Sequence, residues 1–172
     1  MDSPTTSTPE HPPTLPGRIM ALDLGGKRIG IALTDPLGYT AQPLMTLYCK
    51  SPRADLKSIA RLIRKHEVTE VVVGKPLHIS GETGQRAEKA ELFAAQLGEE
   101  AGVGVHLWDE RLTSWDAHQL LDQTTGPRRT AADRQKRKQI IDQVAAVLIL
   151  EGFLETRQRE RARHSAAETS TL

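Results

Sequence analysis

Arg18-Ile-Met-Ala-Leu-Asp23-Leu-Gly-Gly-Lys-Arg-Ile-Gly-Ile-Ala-Leu33 sets two apolar runs on either side of a glycine-rich break. Ile19 to Asp23 and Ile29 to Thr34 read as antiparallel strands joined at Leu24-Gly25-Gly26-Lys27, where the glycines can take a positive φ without a Cβ penalty. Asp23 ends the first strand, so the hairpin presents a carboxylate at a sheet edge. Two further acids stand in comparable contexts. Glu110 follows the apolar run Val103 to Trp108, and Asp142 lies in the longest amphipathic helix pattern of the chain. Three carboxylates gathered at one edge suit hard divalent cations such as Mg2+ or Mn2+, which take oxygen ligands.

The remaining elements follow from periodicity and punctuation. A third strand covers Leu44 to Tyr48. Ser51-Pro52 opens a helix whose inward stripe is Leu56, Ile59, Leu62, Ile63 and His66. Glu70 to Val73 is a β-branched run suited to a buried parallel strand. Arg86 to Leu97 reads as a helix, Val103 to Trp108 as a strand, Ser114 to Leu121 as a short helix and Asp133 to Glu155 as a long one. The order implies an α/β fold, three antiparallel strands extended by parallel strands through helical crossovers.

Residues 1–16 are rich in Pro, Thr and Ser and are expected to form a disordered tail. Residues 17–156 form the folded domain. Residues 157–172 carry charge without an apolar stripe and are expected to be a fraying helix end and flexible tail. At 38% hydrophobic residues in 172, one domain with a sizeable core is expected. Cys49 is the single cysteine, which excludes an intramolecular disulfide. No apolar stretch would span a membrane and no signal-peptide pattern opens the chain, so a cytoplasmic location is expected.

Four blocks, Ala21-Leu-Asp-Leu-Gly-Gly-Lys-Arg-Ile-Gly30, Val72-Val-Gly-Lys-Pro-Leu77, Asp109-Glu-Arg-Leu-Thr-Ser114 and Ile141-Asp-Gln-Val-Ala-Ala-Val-Leu-Ile-Leu-Glu151, occur in one order. In this they resemble the YqgF/RuvX family of pre-16S rRNA nucleases, formerly described as Holliday-junction-resolvase-like. The resemblance implies a ribonuclease H-like fold with a mixed five-stranded sheet. It also implies a metal-dependent nuclease that processes the 5′ end of pre-16S rRNA, with Asp23, Glu110 and Asp142 as catalytic metal ligands. The chain departs from many nucleases of that fold in one respect. They carry an acid after the fourth strand, where Gly74-Lys75-Pro76 stands here.

Phosphodiester hydrolysis needs an activated water and charge neutralisation at the phosphorus and at the leaving oxygen, and two cations about 4 Å apart serve these needs. Asp23 would be shared, with Glu110 and Asp142 each on one ion. An acid heading the apolar stripe Ala145, Ala146, Ile149 and Phe153, as Asp142 does, points toward the sheet, where burial is costly without a partner. Each acid also has a plainer reading. Asp23 could shape the turn, Glu110 could pair with Arg111, and Asp142 with Lys138. Asp109 and Glu110 fall on opposite faces, so one of the two faces the site.

Lys27, Arg28, Lys75, Arg86 and Arg111 could line the same edge and hold phosphates, and Arg137 and Lys138 belong to a basic run leading into the Asp142 helix. Aromatic residues make up 3% of the chain, so base stacking contributes little. The expected partner is nucleic acid: structured RNA first, with branched or single-stranded DNA as the other candidates and a homodimer left open. A resolvase acting on branched DNA is the alternative function. Asp23-Leu-Gly-Gly-Lys also looks like a phosphate loop of sugar kinases and actin-like ATPases, but no second loop and no GxxxxGK[ST] motif follows. A non-catalytic nucleic-acid adaptor is the third reading.

Overall fold

The opening stretch forms the expected hairpin, but neither Gly25 nor Gly26 takes a positive φ; Gly25 is needed because a Cβ there would lie 2.6 Å from the Arg28 carbonyl oxygen. β1 (Arg18–Leu24) pairs antiparallel with β2 (Arg28–Thr34), Asp23 standing opposite Gly30. The structure is a computed structural model and describes residues 17–76, 84–110 and 130–169. β2 pairs antiparallel with β3 (Ala41–Tyr48), which begins three residues earlier than the apolar pattern suggests. Pro43 is tolerated because β3 is an edge strand, and the register shifts between Ile31 and Ala32, beside it.

α1 (Pro52–Lys65) begins as the sequence indicates: Ser51 accepts a hydrogen bond from the Ala54 amide at 3.3 Å, and proline fills the first helical position. β4 (Val68–Lys75) then pairs parallel with β1, α2 (Gln85–Ala101) closes on Gly102 at φ 67°, and β5 (Gly104–Asp109) pairs parallel with β4. The sheet order is β3-β2-β1-β4-β5. The mixed five-stranded ribonuclease H-like arrangement expected from the sequence is therefore present.

α3 (Ala131–Thr169) starts on a reciprocal cap. The Asp133 amide donates to Thr130 Oγ1 at 3.1 Å and the Thr130 amide to Asp133 Oδ2 at 3.0 Å. The helix does not stop at Glu155. It continues to Thr169 because Arg, Gln, Glu and Ala are strong helix formers even without an apolar stripe. Arg157 helps hold it down, donating to Glu70 Oε1 at 2.7 Å and lying 5.8 Å from the centre of the Phe153 ring. The expected helix over Ser114 to Leu121 lies outside the described residues, as does the N-terminal tail of residues 1–16.

Strand alternation divides the core by face. Met20, Leu22, Ile31, Leu33, Val71 and Val73 pack with Ile59, Ile63, Ala90 and Leu97 beneath α1 and α2. Ile19, Ala21, Ala32, Val72 and Trp108 pack with Ala146, Ile149, Leu150 and Leu154 of α3 on the other face. Burying each large aliphatic side chain stabilises the fold by roughly 1.5–3 kcal/mol, which fixes α3 across the sheet. Among the described residues no helix is long and apolar enough to cross a membrane.

Candidate active site

The α3 face carries Ala21 on β1, Ala32 on β2, Val72 on β4 and Trp108 on β5. Two residues further along β1 and β4, and two residues back along antiparallel β2, the same face carries Asp23, Gly74 and Gly30. Leu22 pairs with Val73, so Asp23 and Gly74 continue at one level, and Asp23 itself pairs with Gly30. Three adjacent strands thus present the row Gly30, Asp23, Gly74, with a glycine on each side of the carboxylate.

Each glycine is a floor for another element. A Cβ on Gly30 would run into the carbonyl oxygen, carbonyl carbon and Cα of Asp142, so α3 seats its backbone directly on β2. This sets Asp142 on the β2 side of Asp23. Its carboxylate does not pair with Lys138 as one sequence reading had it. Arg28 Nε donates to Asp142 Oδ2 at 2.5 Å, both side chains being part-buried, and this bond is the leading cause of a raised Arg28 pKa. Strand β3 fixes the same turn of α3. Thr46 Oγ1 donates to the Gln139 carbonyl at 3.1 Å and accepts from Gln143 Nε2 at 3.4 Å, while Tyr48 Oη accepts from Gln139 Nε2 at 2.7 Å and Gln135 Nε2 at 3.1 Å.

On the other side, a Cβ on Gly74 would lie 2.5 Å from Glu110 Oε1 and 2.6 Å from Ile149 Cδ1. The Glu110 carboxyl occupies the space that a side chain at the end of β4 would fill. The acid that follows β5 therefore lies against the end of β4, and this contact selects Glu110 over Asp109 as the one facing the row. Burial first, and then the charge of Asp23, push the Glu110 carboxyl up to about 7, against a smaller opposing pull from Arg86.

That shift has a measurable sign. In the unfolded chain Glu110 ionises near 4.5, whereas in the folded chain it keeps its proton to about 7. The folded state binds the extra proton in between, so the contribution of this group to stability is fully present below pH 4.5, falls as pH rises from there to about 7, and is level above. The loss amounts to about 3 kcal/mol, at 1.36 kcal/mol per pKa unit. Glu110→Gln should abolish that slope in metal-free thermal melts recorded across this window. A variant that keeps the full slope would show that another group titrates.

The basic residues divide. Arg28 reaches Asp142, and Arg86, in the first turn of α2, is close enough to pull on the Glu110 charge. Lys27 is exposed in the β1–β2 turn, its carbonyl accepting from the Cys49 amide at 3.0 Å. Lys75 is not on the carboxylate face. It follows Val71 and Val73 in alternation and forms an ion pair with Glu91 of α2 on the opposite side of the sheet. The alternation itself could have given that result. Arg137 is half-buried and Lys138 exposed, both in the second turn of α3, and Arg111 lies outside the described residues.

Among the described residues no three carboxylate, imidazole or thiol groups surround one point. The row accounts for this. Adjacent strands lie about 4.8 Å apart, so the Asp142 backbone over Gly30 and the Glu110 carboxyl over Gly74 stand on opposite sides of Asp23 in the row. Such a set can hold a cation on each side of Asp23, rather than one ion within a cage of three. Every donor is a hard carboxylate oxygen, which fits Mg2+ or Mn2+ and does not suit soft metals.

The family model described as "RuvX: Holliday junction resolvase" matches residues 17–156. A Koribacter versatilis protein with the provisional name pre-16S rRNA nuclease is 45% identical over 152 residues, covering 88% of this chain and 95% of its own length. A Moorella thermoacetica protein of the same provisional name is 46% identical over 138 residues, covering 80% and 94%. Among solved structures, the Fowlpox virus resolvase in complex with Holliday junction DNA aligns at a TM-score of 0.50 and 12% identity, covering 81% of this chain and 97% of that one, a likeness of fold. With the family model spanning the whole sheet and α3 through Thr156, and relatives of this similarity, the chain belongs to the RuvX family.

Proposed function

We propose that the protein is a metal-dependent nuclease acting on structured RNA near the 5′ end of pre-16S rRNA, in the cytoplasm. The observation that carries this reading is Asp23 flanked on both sides by acids that glycine floors admit, Asp142 over Gly30 and Glu110 over Gly74. The names of the relatives supply the RNA substrate. Asp23 would serve both cations, with Asp142 on one and Glu110 on the other. When bound, the two ions would activate water and neutralise charge on the phosphorus and the leaving oxygen. The chain's own contribution is placement. Asp23, rooted at the strand end, defines the centre, and Glu110, with a pKa of about 7, sits where a proton can be released as positive charge arrives. Arg86, Lys27 and Arg111 would hold substrate phosphates at the rim.

The family description favours a second reading, a resolvase of four-way DNA junctions. A two-fold junction needs paired cuts, so that reading requires a stable dimer. Cleavage assays on precursor rRNA, single strands and four-way junctions, each with Mg2+ and with Mn2+, separate the two. Cleavage of the rRNA precursor at a defined 5′ position supports the first. Symmetric junction cuts by a dimer with no RNA cleavage would replace it.

The basic run before Asp142 would track the backbone of the same substrate. Arg137→Ala with Lys138→Ala should weaken binding and reduce the slope of log affinity against log salt by about one unit for each phosphate no longer neutralised. Mn2+ affinity should not change. An unaltered slope would make this run a solvated helix face.

A further inference from the structure

Arg28 and Asp142 are 114 residues apart in sequence, yet the guanidinium meets the carboxylate through Nε, the donor nearest the stem, at 2.5 Å. The surroundings have already removed most of the freedom of Asp142. Its backbone rests on Gly30, and Thr46 and Tyr48 hold Gln135, Gln139 and Gln143 of the same helix, which fixes the rotation of α3. What remains free is the swing of the carboxylate itself. Arg28 takes up that freedom from the next strand position on the same face, two residues before Gly30 and opposite Tyr48 in the ladder.

We propose that Arg28 is a positioning residue, whose Nε–H holds Oδ2 of Asp142 and so sets the other carboxylate oxygen as the donor to the cation on the Asp23 side. This role rests on the metal-dependent reading above and adds to it a group that need not touch metal. Carboxylates that ligate metals are themselves oriented by hydrogen bonds, and loss of such a partner typically weakens metal binding 10–100-fold. A planar guanidinium suits the task. Nε lies along its length and can bond sideways, and the bond uses one of five donors, whereas a lysine offers only a rotating ammonium at the tip.

Arg28→Lys therefore separates position from charge. The test uses the full chain, with Mn2+ affinity measured by calorimetry in the absence of nucleic acid and RNA affinity measured in EDTA. Arg28→Lys should lose about 10–100-fold in Mn2+ affinity, with kcat reduced at limiting metal, while RNA affinity stays within about threefold. In an Asp142→Asn background the same change should cost almost nothing further, because the group it orients is gone. Unchanged Mn2+ affinity in Arg28→Lys with weakened RNA binding would make Arg28 a phosphate contact only, and tighter Mn2+ binding would make it a competitor of the metal. An unfolded Arg28→Lys, or an equal loss in the Asp142→Asn background, would also overturn the positioning role. A wild-type chain that binds no Mn2+ would remove the metal-dependent reading as well, whereas wild type and Arg28→Lys binding it equally would remove this role alone.

Discussion

Asp23→Asn should lower turnover by about 10³-fold or more, while the metal-free protein melts at the wild-type temperature or slightly above it. Both halves follow from the row of residues across β2, β1 and β4. A shared ligand cannot become a neutral amide without losing charge and coordination at both cation positions, and loss of one catalytic electrostatic group commonly costs 10²–10³-fold. In the absence of metal, burial and then the charge of Asp23 push the Glu110 carboxyl up, so removing the Asp23 charge relieves the second of these in the folded state. The Glu110 carboxyl should accordingly titrate at lower pH in this variant. RNA binding through the basic rim should persist. Turnover near wild type would end the shared-ligand assignment, whereas collapse of the metal-free fold would return Asp23 to the role of shaping the β1–β2 turn.

Gly30→Ala should damage both fold and activity, with no acid or base altered. Its Cβ would meet backbone atoms of Asp142, which cannot rotate away as a side-chain tip can, so α3 must lift from β2. Overpacking of this kind costs about 1–3 kcal/mol or more, and displacement of a ligand by about 1 Å can cost 10²-fold in rate. Gly26→Ala is the matched control. A Cβ there meets nothing within 4 Å, so stability should stay within about 0.5 kcal/mol and turnover should hold. Denaturant melts and turnover of the two variants check this together. Equal, small effects would show that α3 does not bear on β2 as closely as the contact implies.

What the sequence discloses about this site divides along the line between local and tertiary causes. Asp23 is legible because a glycine pair ends an apolar run beside it, and Asp142 because an apolar stripe follows it at helical spacing; both signals lie within a dozen residues. The choice between Asp109 and Glu110 is not local. It depends on the Glu110 carboxyl lying over Gly74 from the neighbouring strand. The need for glycine at 30 and 74 arises only when α3 and the Glu110 side chain close over the sheet, and nothing adjacent in sequence calls for it. Arg28 as partner of Asp142 is hidden for the same reason. Lys75 differs, since the two-residue alternation through Val71 and Val73 already assigns it to the far face, where Glu91 pairs with it. The extension of α3 past Glu155 rests on helix propensity without burial, which an apolar stripe cannot report.

Counting Mn2+ bound per chain, by calorimetry with electron paramagnetic resonance, for wild type and Asp23→Asn in the presence of non-cleavable RNA tests the central claim most directly. Two ions in wild type, with coupled loss of both in Asp23→Asn, are the expected result. One ion per chain, or a variant that still binds two, would contradict an arrangement in which Asp23 is shared between Asp142 and Glu110.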